Sequence, residues 1–401
     1  MKRISGNQTR GFVIFFSIAL LALACFAGGA YAAGVYTTMA NSAVSDVVGH
    51  FWTGTASAGN IIPTWGGYNP PPNGDDQRGS LWERGTMYFA MADLWQTTHD
   101  TTLQQRCQAD WNHTKSAFTL NELTTCGVGW QSTGCDDSAW DCYMYIEAYL
   151  VTGDSYALQC AQTLAGNMFS RWYDSALGGG MWYRDARDFK SLYQAPSIMD
   201  YIKLYEITGT KSYLTHALLC YTWVEKRELR SFDNLYWCDY NSAGPVGAST
   251  PYDIGQAGSV CFIGGEMTMA AVHARLYRDL GDDIYRVRAL RTIAAIRNRY
   301  LDSHGVLIND RDAWADGSFV GEYAREALSL PGVNPTDVTA LKNTATAIFN
   351  NDRTSTGYYG GCWDGPVGTS GDVWSNVGST PQQIMTSANS INMICAAANL
   401  P

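Results

Sequence analysis

The sequence predicts an all-α fold, a double ring of helical hairpins closed into one (α/α)6 barrel. A repeated segment is the first observation behind this prediction, because Tyr145–Tyr156 returns as Tyr201–Tyr213. Looser copies surround Trp95 and Tyr277. The copies lie about 55 to 70 residues apart, so about 370 residues hold about six hairpins. An open helical solenoid is the structural alternative.

The second observation is the residue pattern within each copy. It predicts an inner helix, a residue that ends this helix (the stop), and an outer helix. The stretch 137–152 is apolar on nearly every face, as expected of a helix buried all round. Gly153 follows it and can take the positive φ that ends a helix, and Gly209 and Gly281 stand at the equivalent stops. The next stretch, 156–172, separates its polar and apolar faces better and is predicted to lie outside.

The N-terminus predicts a secretory signal peptide over residues 1–32. Basic residues precede the apolar stretch Phe12–Phe26, and Ala30–Ala32 fits the small-x-small cleavage rule. Residues 33–401 are then expected to form a single domain that works outside the cell or at its surface. An uncleaved anchor and a lipoprotein modified at Cys25 are the weaker alternatives.

Composition excludes several classes of function. The net charge of −10 opposes binding to nucleic acid, so a neutral substrate fits better. The aromatic share of 13% suits both a large core and a cleft in which sugar rings stack. Six scattered histidines and the lack of any CxxC pair predict no metal and no cofactor. No protein partner is implied.

Cysteine usage points to an oxidising compartment. Ten of the eleven cysteines follow the predicted leader, which favours disulfides. Cys135 and Cys142 are not expected to bond to each other, because seven helical residues rise about 10.5 Å and a disulfide needs Cα atoms within about 7 Å. Cys126 is the expected partner of Cys135.

Long loops rich in glycine and aromatic residues separate the hairpins. They are 178–183, 252–255 and 358–366. Gathered at one end of a ring, such loops build a cleft. We expect the first and third of them to lie at the same end as the segment around Asp136.

Two adjacent carboxylates, Asp136 and Asp137, stand immediately before the apolar helix of the second copy. A helix cap explains one of them, because an Asp at a helix start accepts free N–H groups. Glycoside hydrolysis explains both, since a retaining enzyme sets a nucleophile and an acid/base about 5 to 5.5 Å apart. Mutual repulsion would raise one pKa, as the acid requires.

The chain resembles the endo-α-1,6-mannanases of glycoside hydrolase family 76 over most of its length. The segments that carry the resemblance are 136–140, 178–183, 319–325, 361–366 and the repeated Leu-Tyr-x-x-Thr-Gly stops. The resemblance implies an (α/α)6 barrel and hydrolysis with retention. It makes Asp136 the nucleophile and Asp137 the acid/base, and it implies a polysaccharide or oligosaccharide such as α-mannan as the substrate.

The resemblance also implies a set of residues that bind the sugar. These are Asp239, Trp140, Trp182, Tyr183, Tyr252, Asp253 and Trp363. The chain departs from the family pattern around the expected cleft, where Asp141 and Tyr183 replace tryptophans and 252–255 is only an approximate counterpart of the family's Tyr-Asn-Gln-Gly stretch. These departures affect the expected glycan more than the catalytic pair.

Three alternatives to a hydrolase remain. A glycan-binding or cell-surface structural protein on the same barrel needs no catalytic pair, so Asp136 and Asp137 together speak against it. A transglycosylase would share the site. An epimerase on a similar barrel would use two catalytic histidines, and no convincing pair stands out among the six.

Overall fold

Helices make up most of the described chain. The structure is a computed structural model that describes residues 34–61, 81–126, 134–246, 262–309, 317–365 and 384–400. In chain order the helices are α1 (Val35–Phe51), α2 (Leu81–Thr98), α3 (Thr101–Ala117), α4 (Leu120–Thr124), α5 (Cys135–Thr152), α6 (Ser155–Trp172), α7 (Ala195–Thr208), α8 (Lys211–Arg227), α9 (Ile263–Leu280), α10 (Asp283–Tyr300), α11 (Val320–Glu322), α12 (Pro335–Asn351) and α13 (Ile384–Ala398).

An inner ring is formed by α2, α5, α7, α9, α11 and α13, with a π-helical turn over Tyr323–Ala327 extending α11. Neighbours in this order pack against each other, and α13 packs against α2. That last contact closes the ring, which an open solenoid would not do. The outer helices α3, α6, α8, α10 and α12 each pack against the inner helix beside them in the chain. The fold is therefore the predicted (α/α)6 barrel.

Burial separates the two rings as the sequence predicts. Every residue is buried from Ala195 to Leu204 in α7 and from Ile263 to Leu276 in α9. Helix α5 begins at Cys135, two residues earlier than predicted, and it is buried on most faces. The outer helix α6 instead buries one face, through residues such as Cys160, Leu164 and Met168.

The inner helices end at the predicted stops. Gly153, Gly209 and Gly281 have φ of 71°, 69° and 69°, and each donates its N–H to the aromatic residue four positions before it. His99 completes the series with φ of 52°, and it donates to Trp95. The first copy therefore ends its inner helix with a left-handed residue that is not glycine. This explains why it resembles the other copies least in sequence.

The connections differ sharply between the two ends of the barrel. Four inner helices reach the next outer helix in two residues, 99–100, 153–154, 209–210 and 281–282. All returns to the inner ring are longer, and they include 173–194, 228–262 and 352–383. The Asp136, Gly178 and Trp363 segments therefore belong to the same end, where the inner helices begin, as predicted.

Near the opposite end, the ring encloses buried charges that the sequence analysis did not single out. Lys203 on α7 pairs with Glu147 on α5 and with Glu322 on α11, the latter at 2.7 Å. Arg275 and Arg325 also pair with Glu322. Burial alone would raise the pKa of Glu322, but the three surrounding cations hold it well below its usual value. We call these five residues the basal cluster.

The described cysteines correct the expected disulfide framework. Seven of them are buried free thiols: Cys107, Cys126, Cys135, Cys142, Cys160, Cys220 and Cys395. The expected link between Cys126 and Cys135 is therefore wrong, and Cys135 is not joined to Cys142 either. These thiols behave as small apolar side chains of the core. Burial raises the pKa of Cys135 and Cys142, so both stay protonated.

The described residues from Tyr36 onward form one compact unit. The predicted signal peptide, residues 1–32, lies outside the described part of the chain. Within the described residues, no helix is both long enough and apolar enough to cross a membrane.

Candidate active site

Asp136 and Asp137 lie in the first turn of α5, at the end of the barrel with the long loops. The N-cap residue is Gly134, which makes no side-chain cap, so neither aspartate fills the capping position that was the alternative to catalysis. Successive residues of a helix diverge by about 100°, so the two carboxylates point in different directions. The positive end of the helix dipole favours their negative charge.

Gly134 leaves the space that the Asp136 carboxylate occupies. A Cβ atom added at Gly134 would lie 2.3 Å from Oδ1 of Asp136 and 3.2 Å from the hydroxyl oxygen of Tyr183. The backbone of Gly134 has φ of −79° and ψ of 145°, which any residue can adopt. Glycine is therefore required at this position for space and not for conformation.

The loop 178–183 reaches the site because Lys190 and three glycines fold it back. The Nζ atom of Lys190 donates to the carbonyl oxygens of Gly179 and Gly180, at 2.6 and 3.0 Å. Gly180 has φ of 79°, and a Cβ there would lie 2.6 Å from the ring of Trp223. The loop then binds to the start of α5, where the N–H of Cys135 donates to the carbonyl oxygen of Tyr183 at 2.8 Å.

Asp239 enters the same region on a small antiparallel sheet. Two strands earlier in the chain, β1 (Trp52–Thr53) and β2 (Asn60–Ile61), form a separate antiparallel pair. The strands of the sheet that carries Asp239 are β3 (Lys190–Ser191), β4 (Asp239–Asn241) and β5 (Gly244–Val246), with Asp239 opposite Ser191. Burial raises the pKa of Asp239 to about 6, and the charge of Asp188 adds to the rise. Its Oδ1 atom is buried and has no hydrogen-bond partner among the described residues. A bound hydroxyl group could satisfy that oxygen.

The phenol of Tyr183 marks the place where these predicted residues meet. Its pKa is raised above the usual value by the charge of Asp136 first, then by burial, and then by further groups that include Asp137 and Asp239. The charges of three carboxyl groups therefore act on one phenol, although Asp239 is about a hundred residues from the pair in sequence. The structure thus brings together the three aspartates and the tyrosine that the sequence singled out.

The predicted tryptophans are buried in the barrel. Trp140, Trp182 and Trp363 are 6%, 9% and 0% exposed. The indole N–H of Trp182 donates to Asp174 at 2.5 Å, and its ring lies 4.8 Å from Nζ of Lys190. These rings are packed in the interior, so sugar binding by them stays a prediction. Tyr252 and Asp253 fall outside the described residues.

The sequence analysis missed an aromatic row beside the pair. Tyr183 stacks on Phe189 at 5.0 Å and contacts Tyr193 at 5.5 Å, and Tyr193 stacks on Phe262 at 5.2 Å. Faces of this kind suit the apolar face of a sugar. Phe189 immediately precedes β3 and Tyr193 follows it by two residues, so spacing by an even number of residues around a short strand was the only sequence signal.

Asp141 adds a third acidic group to the helix that carries the pair. It lies one turn after Asp137, and burial followed by the charge of Asp137 raises its pKa well above the usual value. Both effects favour the protonated form of Asp141. Among the described residues, no group of three or more His, Cys, Asp or Glu side chains is arranged to hold a metal ion.

Comparison with protein families places the whole barrel in one of them. Residues 36–396 match the family model described as glycosyl hydrolase family 76. No curated protein shows significant similarity to the chain.

Solved structures of low sequence identity share the fold. An alpha-1,6-mannanase from Salegentibacter sp. HEL1_6 is 16% identical, with a TM-score of 0.68 and coverage of 90% of this chain and 99% of that one. A family 76 glycoside hydrolase from a bovine Bacteroides thetaiotaomicron strain gives 16% and 0.70, with 91% and 78% covered. Dfg5 from Chaetomium thermophilum, in complex with glucosamine, gives 16% and 0.64, with 92% of each chain covered.

Proposed function

Because this chain belongs to glycosyl hydrolase family 76 and is a glycoside hydrolase, we propose that it cleaves α-1,6-linked mannan within the polymer and with retention of anomeric configuration. The observation that carries the proposal is the position of Asp136 and Asp137 in the first turn of α5, to which the Tyr183 loop binds beside the small sheet that carries Asp239. A binding protein would have no need of two adjacent carboxylates in a helix turn that already has Gly134 as its N-cap.

In this proposal the two aspartates divide the chemistry. Asp136 attacks the anomeric carbon and forms a covalent glycosyl-enzyme, while Asp137 protonates the departing glycosidic oxygen. Asp137 then removes a proton from the water that hydrolyses the intermediate. Asp239 accepts hydrogen bonds from hydroxyl groups of the sugar in the reactive subsite. Its Oδ1 atom suits this role because it is buried and has no hydrogen-bond partner among the described residues.

The choice of mannan rests on the fold neighbours and on charge. An inactive variant of the Salegentibacter mannanase, with two adjacent aspartates changed to asparagine, was solved in complex with alpha-1,6-mannotriose. A net charge of −10 favours a neutral polymer of this kind over a polyanion. The predicted leader supports action outside the cell or at its surface.

Digestion of defined polysaccharides tests the proposal directly. The purified chain should release a ladder of oligosaccharides from unbranched α-1,6-mannan, and proton NMR should show the α-anomer as the first product. Dextran shares the α-1,6 linkage but not the sugar, so it should be cleaved at least ~10²-fold more slowly. Equal cleavage of both polymers would contradict the proposed substrate. A β-anomer as the first product would contradict retention of configuration. Products longer than the substrate would indicate transglycosylation.

Changing Gly134 should disable the site while sparing the fold. In Gly134→Ala, the new methyl group takes the space of the Asp136 carboxylate and must displace it. We expect kcat/KM on mannan to fall by at least ~10²-fold, because misplacing a reacting group by about 1 Å has that effect. The midpoint of thermal unfolding should change little, since the backbone of Gly134 suits any residue.

Gly153→Ala is the matched control for this experiment. Gly153 has φ of 71° and no atom within 4 Å of an added Cβ, so the change strains only the backbone. It should cost ~1 to 2 kcal/mol of stability and leave kcat/KM unaltered. Wild-type activity in Gly134→Ala would show that the position of Asp136 is unimportant.

A further inference from the structure

The long connection that follows the outer helix α8 begins with a short hairpin. The backbone N–H of Arg230 donates to the carbonyl oxygen of Leu235 at 2.8 Å, and that of Trp237 donates to the carbonyl oxygen of Glu228 at 2.7 Å. We call residues 228–237 the rim hairpin, because this connection belongs to the end of the barrel with the long loops. Backbone bonds between its two arms hold its side chains in a fixed arrangement.

Two aromatic rings of the rim hairpin enclose a guanidinium group. The Cζ atom of Arg230 lies 4.4 Å from the ring centre of Phe232 and 4.6 Å from that of Trp237. The two ring centres are 6.3 Å apart, at an interplanar angle of 68°. Asp233 pairs with the guanidinium at 2.8 Å, so the charge within this stack is balanced. Cation–π contacts with one shared guanidinium fix the two rings relative to each other.

Phe232 is held in place and yet faces solvent. It is 69% exposed, more than any other large apolar side chain that the structure describes, whereas the charged Arg230 beside it is only 8% exposed. Trp237 is half-buried. An apolar ring that stays in water contributes little to folding, because the gain comes from apolar area removed from water. The ring of Phe232 would gain that free energy on binding a ligand with an apolar face.

The stack lies beside the reactive subsite of the proposed function. Trp237 precedes Asp239 by two residues, and two residues of chain span at most about 7 Å. The residue between them is fixed to the small sheet, where the carbonyl oxygen of Cys238 accepts from the N–H of Leu192 at 2.9 Å. The ring of Phe232 is the next neighbour of Trp237. A glycan with one sugar bound to Asp239 therefore has its adjacent sugars close to both rings.

We propose that Phe232 and Trp237 form a further sugar-binding subsite, which takes the sugars adjacent to the one held by Asp239 on a neutral glycan chain. Pyranose rings present apolar C–H faces that pack against aromatic rings, and the balanced charge of the Arg230–Asp233 pair suits an uncharged sugar. The inference rests on the proposed function, since one chain of α-1,6-mannan occupies both places. Neither ring belongs to the sugar-binding set that the family resemblance implies.

Phe232→Ala removes the exposed ring and should weaken the binding of long glycans. Calorimetry in an Asp136→Asn background measures the affinity for α-1,6-mannobiose and for α-1,6-mannohexaose. The hexaose should bind more tightly than the biose, and Phe232→Ala should reduce this gain about 10-fold, as expected for partial burial of a phenylalanine side chain. Phe232→Trp should keep the gain, because it keeps an aromatic face. The midpoint of thermal unfolding should change little in either variant, since most of the side chain is exposed.

Ile284→Ala is the control for loss of an exposed apolar side chain. Ile284 is 44% exposed and lies in the first turn of the outer helix α10, next to a short turn at the opposite end of the barrel. This variant should leave the gain from biose to hexaose unaltered. An equal gain in Phe232→Ala and in its parent, or the lack of any gain in the parent, would overturn the inference.

These outcomes are distinct from those that test the proposed function. A chain that binds mannohexaose through Phe232 but leaves mannan uncut would sustain the subsite and reject hydrolysis alone. A chain that cleaves mannan while Phe232→Ala keeps the full gain would reject the subsite alone. Weaker self-association of Phe232→Ala with unchanged sugar affinity would also overturn the inference, and it would assign the ring to a contact between copies of this chain.

Discussion

Asp136→Asn should abolish turnover of α-1,6-mannan and leave the fold intact. An amide cannot form the glycosyl ester, so we expect a loss of at least ~10⁴-fold in kcat. Asn fills the same volume beside Gly134, and circular dichroism and thermal unfolding should therefore resemble those of the wild type. Detection of a covalent adduct on Asp136 with a fluorinated mannoside would locate the nucleophile independently.

Asp137→Asn should be nearly inactive on mannan for a different reason. This variant keeps the nucleophile but lacks the group that protonates the leaving oxygen. On a mannosyl fluoride or dinitrophenyl mannoside, whose leaving group needs no proton, the first step should proceed. Azide should then restore turnover by attacking the glycosyl-enzyme, and the product should be the α-mannosyl azide.

Asp283→Asn serves as the control for both aspartate variants. Asp283 also lies in the first turn of a helix, the outer helix α10, but its side chain is 61% exposed and paired with Arg286. Its replacement should leave activity unchanged. Wild-type turnover of mannan by both Asp136→Asn and Asp137→Asn would remove the pair from the mechanism and favour the binding protein.

Lys203→Met should destabilise the barrel by ~3 to 5 kcal/mol, the usual cost of removing one partner from a buried ion pair. Lys203 is 3% exposed and lies between Glu147 and Glu322 on two other inner helices. Methionine nearly matches its volume, so the effect is electrostatic and not a cavity. Urea unfolding at neutral pH measures the loss, and the variant should regain part of it at low pH as the carboxylates take up protons.

Two further variants interpret this result. Lys115→Met makes the same change at a partly exposed pair with Asp154, and it should cost under ~1 kcal/mol. Adding Glu147→Gln to Lys203→Met should recover part of the stability, because it removes a carboxylate left without its cation. Equal losses in Lys203→Met and Lys115→Met would show that the basal cluster contributes no more than a surface pair.

Sequence alone was sufficient for the architecture, and it singled out the two adjacent aspartates for which we propose catalysis. The repeat around Tyr149 and Tyr205 carries the aromatic residue whose carbonyl oxygen accepts from the stop, so hairpin boundaries could be predicted from local chemistry. Asp136 and Asp137 were visible because two acidic residues contrast with an apolar helix. Local rules fail where His99 takes the place of glycine, since the left-handed conformation there is imposed by the fold.

Only the tertiary structure decided how the parts of the site meet. Tyr183, Asp239 and the start of α5 belong to separate hairpins. The periodicity of apolar residues in the sequence does not predict that the three lie close together. The same holds for Lys203, Glu147 and Glu322, which lie on three separate inner helices and become partners only when the ring closes. The cysteine count misled because pairing depends on distance in space, whereas these thiols are held apart in a packed core. Helices and the residues that end them are determined by interactions between residues close in sequence. The pKa values and ion pairs depend on groups far apart in sequence that the closed barrel brings together.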